Sequence, residues 1–210
     1  MAISDKIPGS GRVGDFLPRI NCDARTGFLS KVVRTQTAEG WISQPQPLQF
    51  PLTLQIDFAN IEIIWQRLVN GVDVQAVKYR DVTDGTATVG DRPSEDHKPG
   101  FRLRVYNNSL LDGVHEWSST ALCVRAAIDK LHDLYEAQAD EHIDEAPLVH
   151  FTGVTAVTTP RGTNYAPEMT ITGWASRDPF DALPAPQPAP VAAPAAETPV
   201  AASTSQAVFS

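Results

Sequence analysis

Arg102, Arg104 and Tyr106 alternate along the short run Phe101 to Tyr106 and bring two cations and one aromatic ring together. In an extended chain these three side chains point one way, and Phe101, Leu103 and Val105 point the other. Guanidinium groups hold phosphates and aromatic rings stack on bases, so this is the chemistry of a surface that binds a single nucleic-acid strand. Lys98 stands just ahead of the run. The mixture recurs at Lys78-Tyr79-Arg80, and Lys31, Arg34 and Trp41 add two more cations and a ring nearer the N-terminus. Lys31 and Arg34 fall on opposite faces of their segment, and Trp41 is expected in the loop that follows. Any one of these clusters also reads as ordinary solvated residues on an open sheet. Their repetition is what points to a binding surface.

Catalytic residue types are present but not in working patterns. None of His97, His115, His132, His142 and His150 stands at metal-ligand spacing from another His, Cys or carboxylate on one element. His115-Glu116 opens like a zincin HExxH motif, but position 119 is Ser. Gly9-Ser10-Gly11-Arg12-Val13-Gly14 matches G-x-G-x-x-G, yet it has no strand before it and no helix after it, so a phosphate cradle would lack its scaffold. There is no P-loop lysine motif and no G-x-S-x-G elbow. Asp23, Asp57, Asp81, Asp84, Asp91 and Asp96 lack EF-hand spacing. The reading is therefore non-enzymatic, with no metal and no cofactor. Cys22 and Cys123 are expected as two reduced thiols, neither a disulfide framework nor a zinc site.

The chain has 210 residues and a net charge of −8, which argues against a simple polyanion binder. The charge is uneven. Lys6, Arg12, Arg19, Arg25, Lys31 and Arg34 outnumber the acids of the first 35 residues, whereas residues 129–145 carry a dense set of Asp and Glu against Lys130 alone. An acidic protein can still present a local basic groove. No run reaches the roughly 18 apolar residues that a membrane span needs, and the N-terminus lacks the apolar stretch of a secretory signal. A cytoplasmic protein with no membrane partner is expected.

These side chains need elements to position them. Residues 1–27 are rich in Gly, Pro and Asp and read as an irregular arm. Phe28 to Thr35 is the first expected strand, and Gln44-Pro-Gln-Pro47 is expected to break the chain. Leu52 to Trp65 begins with clean alternation, Leu52, Leu54, Ile56 and Phe58 on one face, and bends near Ala59-Asn60. Residues 83–100 form a long polar loop of the functional or mobile kind. Phe101 to Tyr106 is the third strand. Ser118 to about His142 is the one helix, with Val124, Ile128, Leu131 and Tyr135 on its apolar face, joined by Ala121, Ala127 and Leu134. Leu148 to Thr158 and Tyr165 to Trp174 are the last strands. Trp65 and Trp117 are expected in the core, and Trp174 either there or at an exposed edge. The result is one mainly β domain over 28–183, a five-stranded OB-fold-like barrel with its helix between strands 3 and 4. Residues 184–210 form a Pro/Ala-rich tail, expected to be extended and solvated.

In this order, LTLQIDFANIEIIW, KPGFRLRVYN and TNYAPEMTITGWASRDPF, followed by the tail, resemble the bacteriophage single-stranded DNA-binding proteins of the OB-fold type. The resemblance spans residues 28–176 by element order and contains no diagnostic motif. It implies binding of single-stranded DNA without sequence preference, in replication or recombination. The groove would be lined by Lys31, Arg102, Arg104 and Tyr106. It also implies a tail whose terminal aromatic, here Phe209, docks on replication or recombination proteins. Such tails are usually strongly acidic, and this one carries only Glu197. A β-rich structural or interaction protein, a virion or accessory protein tethered by its tail, is the second reading. An enzyme whose site the sequence hides is the third. A homo-oligomer is compatible with each.

Overall fold

The fold is that of a computed structural model, which describes residues 17–37, 40–67, 74–160 and 162–182. Alternation of apolar and polar residues produces ten strands: β1 (Arg19–Cys22), β2 (Leu29–Thr37), β3 (Gly40–Pro47), β4 (Leu52–Ile56), β5 (Glu62–Arg67), β6 (Val74–Lys78), β7 (His97–Asn107), β8 (Gly113–Ser119), β9 (Glu145–Thr159) and β10 (Gly162–Ser176). They join in one sheet, in the order β10-β9-β4-β7-β8-β1-β2-β3, with β5 also on β7 and β6 on β5. Every pairing is antiparallel except β1 with β8. The α-helices among the described residues are α1 (Tyr79–Thr83), α2 (Asn108–Leu111), α3 (Leu122–Glu136) and α4 (Asp178–Asp181).

This overturns the five-stranded OB-like barrel. The sheet has twice as many strands, and α3 lies between β8 and β9. Among the strands that the pattern reading did not expect are β1, inside the segment read as an irregular arm, β3 and β8. The strand β3 runs straight through Gln44-Pro-Gln-Pro47. It is an edge strand, and Leu48 donates its N–H to the Leu29 carbonyl, so alternate residues Pro45 and Pro47 place their missing N–H on the open side. The strand β8 takes up Ser118 and Ser119, where the helix was expected to begin. The bend expected near Ala59-Asn60 is present as a single 3-10 turn, Phe58–Asn60, that separates β4 from β5.

That turn lets the sheet fork. The N-terminal half of β7 pairs with β5, Glu62 opposite Arg102, while its C-terminal end pairs with β4, Ile56 opposite Val105. β4 then leads to β9 and the long β9–β10 hairpin. One face of the sheet is apolar: Leu52, Leu54, Ile56, Leu103, Val105, Trp117, Val149 and Phe151 are all buried. α3 covers it with Val124, Ile128 and Leu131, and rings join the two layers. Phe58 meets His132 at 5.5 Å and Tyr135 at 5.4 Å, Tyr79 meets His132 at 4.9 Å, and Tyr135 meets Trp174 at 5.9 Å. Leu134, expected on the apolar face, is instead 51% exposed.

Asp57, at the fork, is fully buried. Its carboxylate accepts from Arg177 (2.8 Å) and Asn60 (2.9 Å), and its N–H donates to the Arg104 carbonyl. Arg177 follows β10, and this segment is tied down along its length. Gln55 donates to the carbonyls of Ala175 and Ser176, and Phe180 is buried against Tyr106. The loop before β7 is tied as well. Trp65 donates to the Gly90 carbonyl (3.0 Å), and Ser94 hydrogen-bonds His97 at 2.8 Å.

Replacing Arg177 by Ala leaves a carboxylate buried without its cation and is expected to cost about 3–5 kcal/mol. Arg80→Ala, which breaks an exposed pair with Asp84 at 3.7 Å, should change stability by less than about 1 kcal/mol. Urea denaturation of the two variants checks this, and equal midpoints would refute the anchoring role.

A pH dependence follows from two buried imidazoles. Desolvation lowers the pKa of His132 and His115 below the ordinary 6.5; carboxylates around His132 oppose the shift, and Lys31 adds to it at His115. The unfolded chain then takes up protons before the folded one. Stability is expected to be full above about pH 7 and to decline as pH falls through the unfolded value towards the folded one. His132→Phe, which keeps a ring against Phe58 and Tyr79, should flatten part of that decline in urea midpoints measured from pH 7.5 to about pH 5.

Candidate nucleic-acid interface

The alternation expected for β7 holds: Arg102, Arg104 and Tyr106 share the face opposite the core. Cross-strand register then decides what they can do. Glu62 stands opposite Arg102, and the Arg102 Nε donates to its carboxylate at 2.5 Å. This pairing holds the guanidinium in its charged form against the opposing effect of burial. Glu116 stands opposite Arg104 and pairs with Arg19 at 3.3 Å. Tyr106 packs its ring on Phe180 with centroids 6.3 Å apart, under α4. The strip is therefore a cross-linked, partly covered sheet surface with alternating charge.

The other expected site residues divide further. Tyr79 is turned inward against His132, and burial raises its pKa. Lys78 reaches the Asn60 side chain at 3.5 Å, and Arg80 pairs with Asp84 at 3.7 Å. Lys98 is exposed on the outer face of β7, opposite Gln66. Lys31 donates to the Leu110 carbonyl at 2.9 Å and lies 3.7 Å from Asp112. Trp174 is stacked on His142 with ring centroids 4.0 Å apart and planes 7° from parallel, so it has a partner already. Phe209 lies outside the described residues, as does the glycine-rich run at 9–14.

The β2–β3 hairpin differs. Its far half stands away from the core: β2 is exposed from Val33 to Thr37, and β3 is exposed along its whole length. Trp41, expected in a loop, sits on β3 opposite Gln36 and is 66% exposed. Arg34 is opposite Ser43. Arg34 and Trp41 are thus diagonal neighbours on one face, a separation of roughly 7–8 Å. That is a cation beside an open ring, with no core contact to explain the tryptophan.

Next to this face is a slot that the residue patterns alone did not disclose. β1 joins β2 to β8, but its pairing begins only at Arg19. Beyond that point no strand among the described residues lies between β2 and the start of β8. Flanking strands one place removed are roughly 10 Å apart. The gap forms a cavity of about 570 Å³, lined by Arg19, Lys31, Arg34, Ser43, Asp112 and His115. Arg19 and His115 were missed because neither β1 nor β8 was expected. The alternation in GVHEWSS, with His115 and Trp117 inward, was the available signal.

An apolar groove of about 800 Å³ runs between α3 and the β9–β10 hairpin, beside the exposed Leu122 and Leu134. Among the described residues no group of His, Cys, Asp and Glu is arranged to hold a metal ion. No helix there is long and apolar enough to cross a membrane. Comparison with known proteins yields no matching family model, no matching curated protein and no matching solved structure.

Trp41 is the most solvent-open of the placed tryptophans; Trp117 is fully buried, and Trp65 and Trp174 are partly covered. Acrylamide is therefore expected to quench a component of the fluorescence that Trp41→Phe removes. Unchanged quenching in that variant would show that the ring is covered.

Proposed function

We propose that this is a non-enzymatic protein that binds single-stranded DNA, with the β2–β3 hairpin as its main contact rather than the β7 strip. The observation that carries this reading is Trp41, an exposed ring on a free-standing hairpin, on the same face as Arg34 and beside a cavity lined by three cations. A base stacked on such a ring contributes about 1–3 kcal/mol whatever its identity, so binding would be tolerant of sequence. The cations supply phosphate contacts. With the chain as a whole at −8, that attraction is confined to a short stretch. A protein of this kind serves where single strands are exposed, as in replication or recombination.

Fluorescence anisotropy with a labelled oligo-dT, at two salt concentrations, tests the reading. Affinity is expected to fall with added salt, with a shallow slope that reflects few phosphate contacts. Trp41→Ala should weaken binding about 5- to 150-fold, the range that loss of one stacked base implies. Arg34→Ala should weaken binding and reduce the salt slope, and Arg102→Ala should leave it close to that of the parent. Absence of binding at low salt, or full affinity in Trp41→Ala, would sink the proposal. The first outcome would favour an interaction protein, for which the exposed Leu122 and Leu134 beside α3 are the relevant surface.

A further inference from the structure

We infer that the apolar groove between α3 and the β9–β10 hairpin seats the chain's own tail, residues 184–210, with Glu197 against Lys130. The inference goes beyond the single-strand reading and does not depend on it.

The groove calls for a nearly uncharged occupant. Ala126, Ala127 and Leu134 of α3 line one side and Val157, Ala166 and Met169 of the hairpin the other, around about 800 Å³. Leu122 and Leu134 at this site are 74% and 51% exposed. Large apolar side chains gathered in water mark a binding surface. The charged residues among the lining are Lys130 and Glu168. The Glu168 carboxylate accepts from the hydroxyls of Thr152, at 3.2 Å, and Thr155. The Lys130 ammonium has no hydrogen-bond or ion-pair partner among the described residues. Asp129 and Asp133 flank Lys130 on α3 but lie outside the lining. They repel a second copy of this face, which carries the same acids, and any strongly acidic segment. What fits is a neutral chain whose lone acid touches Lys130 directly.

The tail has that composition. Among residues 184–210, Glu197 is the one charged residue, and Pro, Ala and Val make up most of the rest. A Pro-rich segment is already stiff and extended, so it loses little entropy on docking. Its attachment is also suitable. β10 ends the strand order, so a chain leaving α4 can round that edge to the α3 side without crossing the sheet. The β10 residues of the groove, Asn164 to Met169, lie roughly 23–40 Å back along the strand from Ser176. From Ala182 to Glu197 an extended Pro-rich chain covers about 47 Å. Glu197 therefore comes level with the groove, with a little chain to spare for the turn. Tethering gives the segment a roughly millimolar effective concentration, so weak contacts suffice. An exposed pair between Lys130 and Glu197 contributes little and sets the register, while burial of Pro, Ala and Val supplies the affinity.

Cys123 lines the groove and supplies the readout. Its thiol donates to the Tyr165 carbonyl at 3.5 Å. Burial pushes the Cys22 thiol up to about 12 and keeps it unreactive. The test is the rate at which iodoacetamide alkylates Cys123 in the full chain, with the site resolved by mass spectrometry. Replacing residues 188–202 by a Gly/Ser segment of equal length should speed the reaction about 3- to 10-fold, as expected for a tethered segment that fills the groove most of the time. Glu197→Lys should also speed it, and adding Lys130→Glu to that variant should restore the slow rate. The two tail changes alter no described residue, so the fold is retained in both. Equal rates in the parent and the Gly/Ser chain, or in the parent and Glu197→Lys, would overturn the inference. Protection that grows with protein concentration would overturn it too, because the occupant would then be the tail of a second copy.

Discussion

The buried carboxylate of Asp57 is the constraint around which the molecule is arranged. One strand, β7, has to serve two neighbours along one edge, β5 on its first half and β4 on its last residues. The chain can change from one to the other only by leaving the sheet between them, and it does so in the turn at Phe58–Asn60. Leaving a sheet exposes backbone groups, and here they are met locally. The Asp57 N–H goes to Arg104, the Ile61 N–H to Phe58, and the Ile61 carbonyl accepts from Tyr79. The carboxylate needs a cation that nothing in the turn provides. Arg177, 120 residues further on, supplies it and thereby fixes the end of β10 against the fork.

Two consequences follow from that closure. Phe58 is carried to the inner side, where His132 and Tyr135 rest on it, so the same turn that meets Arg177 also seats α3. The end of β10 and the segment after it are drawn over the outer face, where Gln55 receives the first and Tyr106 the second. That second consequence is why the β7 strip is a poor nucleic-acid surface. The interaction that stabilises the fork places Phe180 on the ring that would have stacked on a base, and the register of β5 and β8 sets carboxylates opposite the arginines.

Local periodicity made much of this legible. The alternation of Phe101 to Tyr106 and of Leu52 to Ile56, and the 3.6-residue spacing of Val124, Ile128 and Leu131, each hold in the structure. What failed to show was whatever depends on a partner far along the chain. Pro45 and Pro47 look like breakers until it is known that β3 is an edge strand. Ser118 and Ser119 look like the start of the helix until β7 is seen to pair with them. Arg102 looks like a free cation because Glu62 is 40 residues away. The candidate site divides along the same line. Arg34 and Trp41 were recognised by type, and both stand exposed because the far half of their hairpin reaches beyond the core. Arg19 and His115 became visible only when β1 brought β2 and β8 within reach of each other.

The shortness of β1 links the fold to the proposed chemistry. A longer β1 would have filled the sheet between β2 and β8, given every backbone group a partner and left His115 beneath a continuous surface. By pairing with β8 at only two positions, Arg19 and Ile20, it leaves a gap lined by side chains from both faces of the sheet. Lys31 comes from the inner face and Arg34 from the outer, which an intact sheet would keep apart. Their opposite parity, which on a closed barrel would argue against a shared role, is what allows the two to line one cavity from opposite sides.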